Sequence, residues 1–185
     1  CASAGKRLEQ GLEAETRGDY HAAVSRYIEA LDKDATLTDA RDALLVAWDS
    51  ASARGQALAE QASARGDAEG AAGEWVALDG LMERARRVGV TLTTSERYAT
   101  RRRESLDAAI AALMARGDGL RRDGRWRDAQ NAYRRVMDDM DPLDAQRRAA
   151  LDSQAEALLE WAEAEAREGR PRAAFARADE ALAVA

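Results

Sequence analysis

Gly18-Asp19-Tyr20…Ala23…Tyr27 is the phrase whose reading decides the fold, because the chain repeats it. It returns as Gly66-Asp67-Ala68…Ala71…Trp75 and as Gly124-Arg125-Trp126…Ala129…Tyr133. A fourth copy, Gly169-Arg170-Pro171…Ala174…Ala178, lacks the final aromatic. A returning phrase implies a returning structural unit. Glycine takes the left-handed backbone that ends a helix, and the next helix starts two residues later. A small alanine then lets two helices approach closely. The aromatic four residues on lies on the same helical face.

Working outward, the composition favours helices. Ala, Leu, Arg and Glu dominate the 185 residues, and there are only two prolines. All four are strong helix formers. Aromatics are 5% of the chain, so the core has to be built from Ala and Leu around a few large anchors. No run of about 18 apolar residues is present, so no transmembrane helix is expected.

The periodicity predicts eight helices, alternating long and short and paired as antiparallel hairpins. They fall at about 6–17, 20–33, 39–65, 67–87, 94–123, 125–140, from the Asp141-Pro142-Leu143-Asp144 start signal to 168, and from Pro171 onward. Thr38 reads as the cap of the third helix, and Thr93 with Glu96 as a capping box for the fifth. Pro142 reads as a first-turn proline behind an acidic cap. Gly55 and Gly117-Asp118-Gly119 are positions where the long helices are expected to bend or break. Residues 1–5 form a short tether, and 6–185 form the helical array.

The net charge of −6 is uneven. Residues 1–96 hold 11 basic and 17 acidic side chains, residues 97–148 hold 13 and 9, and residues 149–185 hold 4 and 8. The Arg-rich middle has two readings. One is solvated helix faces with internal ion pairs; the other is an anionic docking surface around Arg101, Arg102 and Arg103. Basic residues interspersed with Asp, in an acidic chain without a nucleic-acid motif, argue against nucleic acid as a partner.

Catalytic and metal chemistry finds little material. The single histidine, His21, has no nucleophile motif to serve and no cluster of ligands to join. It reads as an exposed helix-start residue. Asp138, Asp139 and Asp141 read as solvation and capping, with a weak cation site as the alternative. Trp48, Trp75, Trp126 and Trp161 read as core anchors. Neither enzyme activity nor a cofactor is expected.

The repeated phrase resembles the tetratricopeptide repeat. That family places a small residue mid-way along its first helix, glycine and an aromatic at the turn, and alanine then an aromatic in the second helix. The first repeat matches at Gly11, Gly18, Tyr20, Ala23, Tyr27 and Ala30. The third matches at Gly117, Gly124, Trp126, Ala129 and Tyr133, with Pro142 near the family's terminal proline. The second matches at Ala59, Gly66, Ala71 and Trp75, and the fourth at Ala162, Gly169, Ala174 and Ala181. The resemblance covers about two thirds of the chain and implies an α-solenoid that binds a protein or peptide without catalysis. The phrases recur 48, 58 and 45 residues apart, against about 34 in the family, so extended helices are expected between the repeats.

The only cysteine is Cys1, followed by Ala2-Ser3-Ala4-Gly5. This start resembles a mature bacterial lipoprotein, whose N-terminal Cys carries acyl chains. The resemblance implies attachment to the membrane through Cys1 without a spanning helix, and Ala2 implies the outer membrane. The alternative is a fragment boundary. The apolar end, Ala181-Leu182-Ala183-Val184-Ala185, stops where the family motif would next place proline. Either more protein follows, or this end packs on a partner. Two functions are therefore carried forward: a lipid-anchored scaffold binding another protein in the cell envelope, and a structural subunit assembling through its apolar C-terminal helix.

Overall fold

A computed structural model describes residues 2–184, which are all-helical. Cys1, the expected lipidation position, lies outside the described residues. Among the described residues there are eight α-helices and no strand: α1 (Ala4–Thr16), α2 (Tyr20–Lys33), α3 (Thr38–Ala64), α4 (Ala68–Arg87), α5 (Glu96–Arg122), α6 (Trp126–Asp139), α7 (Asp144–Arg167) and α8 (Pro171–Val184). Consecutive helices pack together, α1 on α2, α2 on α3 and α3 on α4, and then α6 on α7 and α7 on α8.

The helices group into two compact units, one ending at Arg102 and the other beginning at Arg103. The first unit has a large continuous core. Ala23, Tyr27, Leu31, Leu44, Trp48, Trp75 and Leu81 lie within it, joined by Tyr98 from the start of α5. Trp48 donates its indole N–H to the Thr93 carbonyl at 2.7 Å. The Trp75 and Tyr98 rings meet edge to face, 4.9 Å between centroids. In the second unit, Ala129, Tyr133 and Ala157 form a smaller cluster, with Met114 and Leu120 against it.

All four phrase glycines are left-handed: Gly18 at φ 73°, Gly66 at 77°, Gly124 at 71° and Gly169 at 74°. Each ends a helix in the same way. The N–H of the residue after the glycine returns to a carbonyl five residues back: Asp19 to Ala14, Asp67 to Ala62, Arg125 to Leu120 and Arg170 to Glu165. This is the Schellman closure of a helix C-terminus. Gly89 does the same for α4, at φ 76°.

Several local expectations need correction. α1 begins at Ala4, with the Ser3 hydroxyl accepting from the Lys6 N–H at 3.2 Å, so Ala4 and Gly5 belong to the helix and not to a tether. Thr38 is the first residue of α3 and not its cap; Leu37 holds the cap position, with no side-chain bond. At α7, Asp141 takes a positive φ of 45° and the helix starts only at Asp144. The acceptor for the free Leu143 N–H there is Gln146 Oε1, at 2.9 Å. Pro142 thus precedes the helix instead of occupying its first turn. Gly55 and Gly117 do not break their helices, since α3 and α5 run unbroken through both.

Candidate interaction surfaces

The phrase residues meet in a repeated seam. A Cβ built on Gly11 would lie 2.2 Å from the Tyr27 ring, and one on Gly117 would lie 2.4 Å from the Tyr133 ring. In both hairpins the ring lies flush on a helix that has no side chain at that point. The phenol then reaches an acid on the glycine-bearing helix: Tyr27 donates to Glu15, and Tyr133 to Asp118 at 2.8 Å. Burial, and then the neighbouring carboxylate, hold both phenols well above the ordinary tyrosine pKa. Tyr98 is raised in the same way by burial and by Asp79. Among the other phrase residues, Ala23, Ala71, Trp75 and Ala129 are buried, while Tyr20, Trp126 and Ala174 are partly covered.

Arg101, Arg102 and Arg103 do not converge on one patch. Consecutive helical residues point in different directions, and Arg102 and Arg103 reach separate acids. Arg102 forms an ion pair with Asp79. Arg103 donates Nε to Asp107 at 3.0 Å and Nη2 to Gln146 Oε1 at 3.2 Å, while Gln146 Nε2 donates to the same Asp107 oxygen at 2.7 Å. The Arg103 and Gln146 bonds hold the Asp107 carboxyl below the usual aspartate range. Arg101 is exposed.

The four tryptophans divide into two kinds. Trp48 and Trp75 are core residues. Trp126 on α6 and Trp161 on α7 are only partly buried and stack at 6.4 Å. Arg177 on α8 lies over the Trp161 ring at 4.1 Å, in cation–π range. This stack joins residues far apart in sequence, and no local pattern announces it.

His21 is exposed and borders a cleft of about 210 Å³ with Asp19, Tyr20, Arg54 and Glu74. Asp138 is exposed, and Asp139 receives Arg135 at 3.2 Å. Among the described residues no group of three or more His, Cys, Asp or Glu side chains could hold a metal ion. Among the described residues no helix is long and apolar enough to cross a membrane.

The largest departure from the repeat lies at α7 and α8. A groove of about 320 Å³ runs between them, lined by Ala162, Ala166, Pro171, Ala174, Phe175 and Ala178, with Glu163 at its edge. Phe175 is 72% exposed and Leu182 is 78% exposed. Comparison of the chain with protein-family models, curated proteins and solved structures finds no match.

Proposed function

We propose that the chain is a tetratricopeptide-like helical-repeat scaffold that holds another protein at the bacterial cell envelope, anchored in the outer membrane by acyl chains on Cys1. The observation that carries the repeat reading is the glycine–tyrosine seam. It occurs twice, at Gly11–Tyr27 and Gly117–Tyr133, with the same contact geometry and the same phenol–carboxylate finish. A module that stacks by backbone-to-ring contact leaves its outer side chains free for a partner. The anchoring part rests on the cysteine at the first position and the small residues after it.

The test uses the protein expressed with its native upstream sequence. Intact mass of the membrane-extracted protein is expected to exceed the polypeptide mass by acyl chains, and a free thiol at Cys1 would remove the anchor. Cross-linking in native membranes is expected to trap a specific heterologous protein; recovery of the chain only with itself would favour the structural subunit. The basic belt is probed by Arg101→Gln, which removes one exposed positive charge without adding a carboxylate. Charge reversal at Arg102 or Arg103 would set a carboxylate against Asp79 or Asp107 and unfold local structure for reasons unrelated to binding.

A further inference from the structure

The Trp126–Trp161 stack of the second unit has an open counterpart in the first. The positions correspond when counted from the phrase glycines. Two residues after Gly18 and Gly124 stand Tyr20 and Trp126; eight before Gly66 and Gly169 stand Leu58 and Trp161; eight after them stand Glu74 and Arg177. Each set comes together in space. Trp126, Trp161 and Arg177 form the stack, and Tyr20, Leu58 and Glu74 line the cleft of about 210 Å³ that His21 borders. Eleven residues before the glycine, the second unit has the buried Leu158, where the cleft has Gly55. The first unit therefore lacks an indole and a leucine side chain at a place where the second unit has both.

The recess is not one that Gly55 could fill, because a Cβ there would already press on the Leu78 side chain at 3.0 Å. Its polar groups are also arranged differently from those of the stack. Arg177 is paired with Glu180 at 2.6 Å, three residues on along α8. Glu74 has Gly70, Ala71, Ala77 and Leu78 as its neighbours three and four residues away on α4, and Arg54 has Ser50, Ala51, Ala57 and Leu58 on α3. Neither finds an opposite charge on its own helix. Asp19, the other acid of the cleft, accepts the Ala22 N–H at 3.1 Å as the cap of α2. Beside an apolar floor and the Tyr20 ring, the recess thus offers one acceptor, Glu74, and one donor, Arg54.

We propose that this cleft between α2, α3 and α4 seats a tryptophan side chain of a partner protein. This rests on the scaffold reading and gives it a site. The ring fills the recess against Tyr20, as Trp161 packs on Trp126 in the second unit. Its indole N–H donates to Glu74, and the main chain of the same residue gives Arg54 a carbonyl. A tryptophan combines an apolar body with a polar edge, which is what the lining asks for. Phenylalanine lacks the donor and would leave Glu74 desolvated without a partner; a free indole lacks the carbonyl. A second copy of this chain does not supply the ring, because Trp48 and Trp75 are buried and Trp126 and Trp161 are stacked on each other.

His21 is the only histidine in the chain and lines the cleft, so its imidazole Cε1 proton is a single magnetic-resonance reporter at the site. The probe is N-acetyl-tryptophanamide, added at constant pH to the whole chain. The His21 signal is expected to shift saturably, and N-acetyl-phenylalaninamide to bind about fivefold more weakly or worse. Glu74→Ala is expected to erase that preference. Leu58→Trp puts the second unit's ring into the chain at a position that is 39% exposed, and is expected to weaken probe binding about tenfold or more with helical circular dichroism unchanged. An unmoved His21 signal, equal binding of the two amides, or full binding by a folded Leu58→Trp protein would each overturn the proposal. In native membranes Leu58→Trp is expected to lose the cross-linked partner. If that partner is retained although the probe binds at His21, the cleft takes a free aromatic compound; the partner assignment falls and the scaffold reading stands. If the unsubstituted chain traps no heterologous protein, the scaffold reading falls and this proposal with it.

Discussion

At Gly11 and Gly117 a hydrogen is the only side chain that fits, and each position sits inside a helix where glycine is otherwise unfavourable. Alanine there would gain about 1 kcal/mol of helix propensity but would drive a methyl into an aromatic ring at well under contact distance. Overpacking of this kind costs about 1–3 kcal/mol, and at these distances we take the upper part of that range. Gly117→Ala is therefore expected to lower stability by about 1–2 kcal/mol net. Gly73 and Gly80 on α4 give the opposite sign. Both are exposed, and a Cβ at either meets nothing within 4 Å. Alanine at each should stabilise by about 0.5–1 kcal/mol. Urea denaturation of the three variants checks both signs together. The sequence gives away the glycine–tyrosine pairing through its repetition. It does not say that Gly117 serves close approach in place of a kink, because spacing alone cannot distinguish a missing side chain from a flexible backbone.

The phenols over these glycines make a second prediction at the same scale. Tyr27, Tyr98 and Tyr133 bind their protons more tightly folded than unfolded. Their contribution is fully present below the unfolded value of about 10 and is lost as pH rises through the folded one. Stability should therefore decline above about pH 10. Absorbance at 295 nm should show these three phenols ionising together with loss of helical circular dichroism. Ionisation of all three in a chain that stays helical would contradict the burial argument.

Among the helices, the turns were legible and some of the starts were not. The glycine phrase specifies the stops of α1, α3, α5 and α7, each closed by a left-handed residue, whereas α2 ends at an extended Asp34. Starts are less uniform. Asp19 and Asp67 accept from the N–H three residues on, at 3.1 and 2.8 Å. Arg125 holds the same place without a side-chain cap. Start signals near α7 mislead because Asp141 diverts the chain with a positive φ, moving Pro142 out of the first turn. The informative residue was Gln146, whose one amide caps Leu143 and also joins Arg103 and Asp107. Capping bonds are worth about 1 kcal/mol, so Asp67→Ala should lower stability by about that amount. Asp67→Ser should recover most of it, since serine keeps the acceptor. Thermal melts of both variants measure the difference.

Over the whole chain, the helical class and the hairpin order follow from pattern, but the grouping into two units does not. α5 reads as one periodic stretch, with Tyr98, Leu106, Ile110 and Leu113 all buried along it. Nothing in that run marks a boundary at Arg102 and Arg103. The exposure of Phe175 was similarly hidden, since apolar spacing says which side of a helix is oily but not whether another element lies on it. The four tryptophans provide a test of how far the units act separately, because Trp48 and Trp75 belong to the first and Trp126 and Trp161 to the second. Fluorinated tryptophan gives each its own resonance without any substitution. Two units with their own cores need not unfold in one step, so a single unfolding free energy would not describe the chain. Gly117→Ala injures only the seam under Tyr133. It should lower the urea midpoint seen at Trp126 and Trp161 and leave that at Trp48 and Trp75 nearly unchanged. Equal displacement of all four midpoints would mean that the continuous α5 couples the two cores into one cooperative block, and that the grouping describes packing alone.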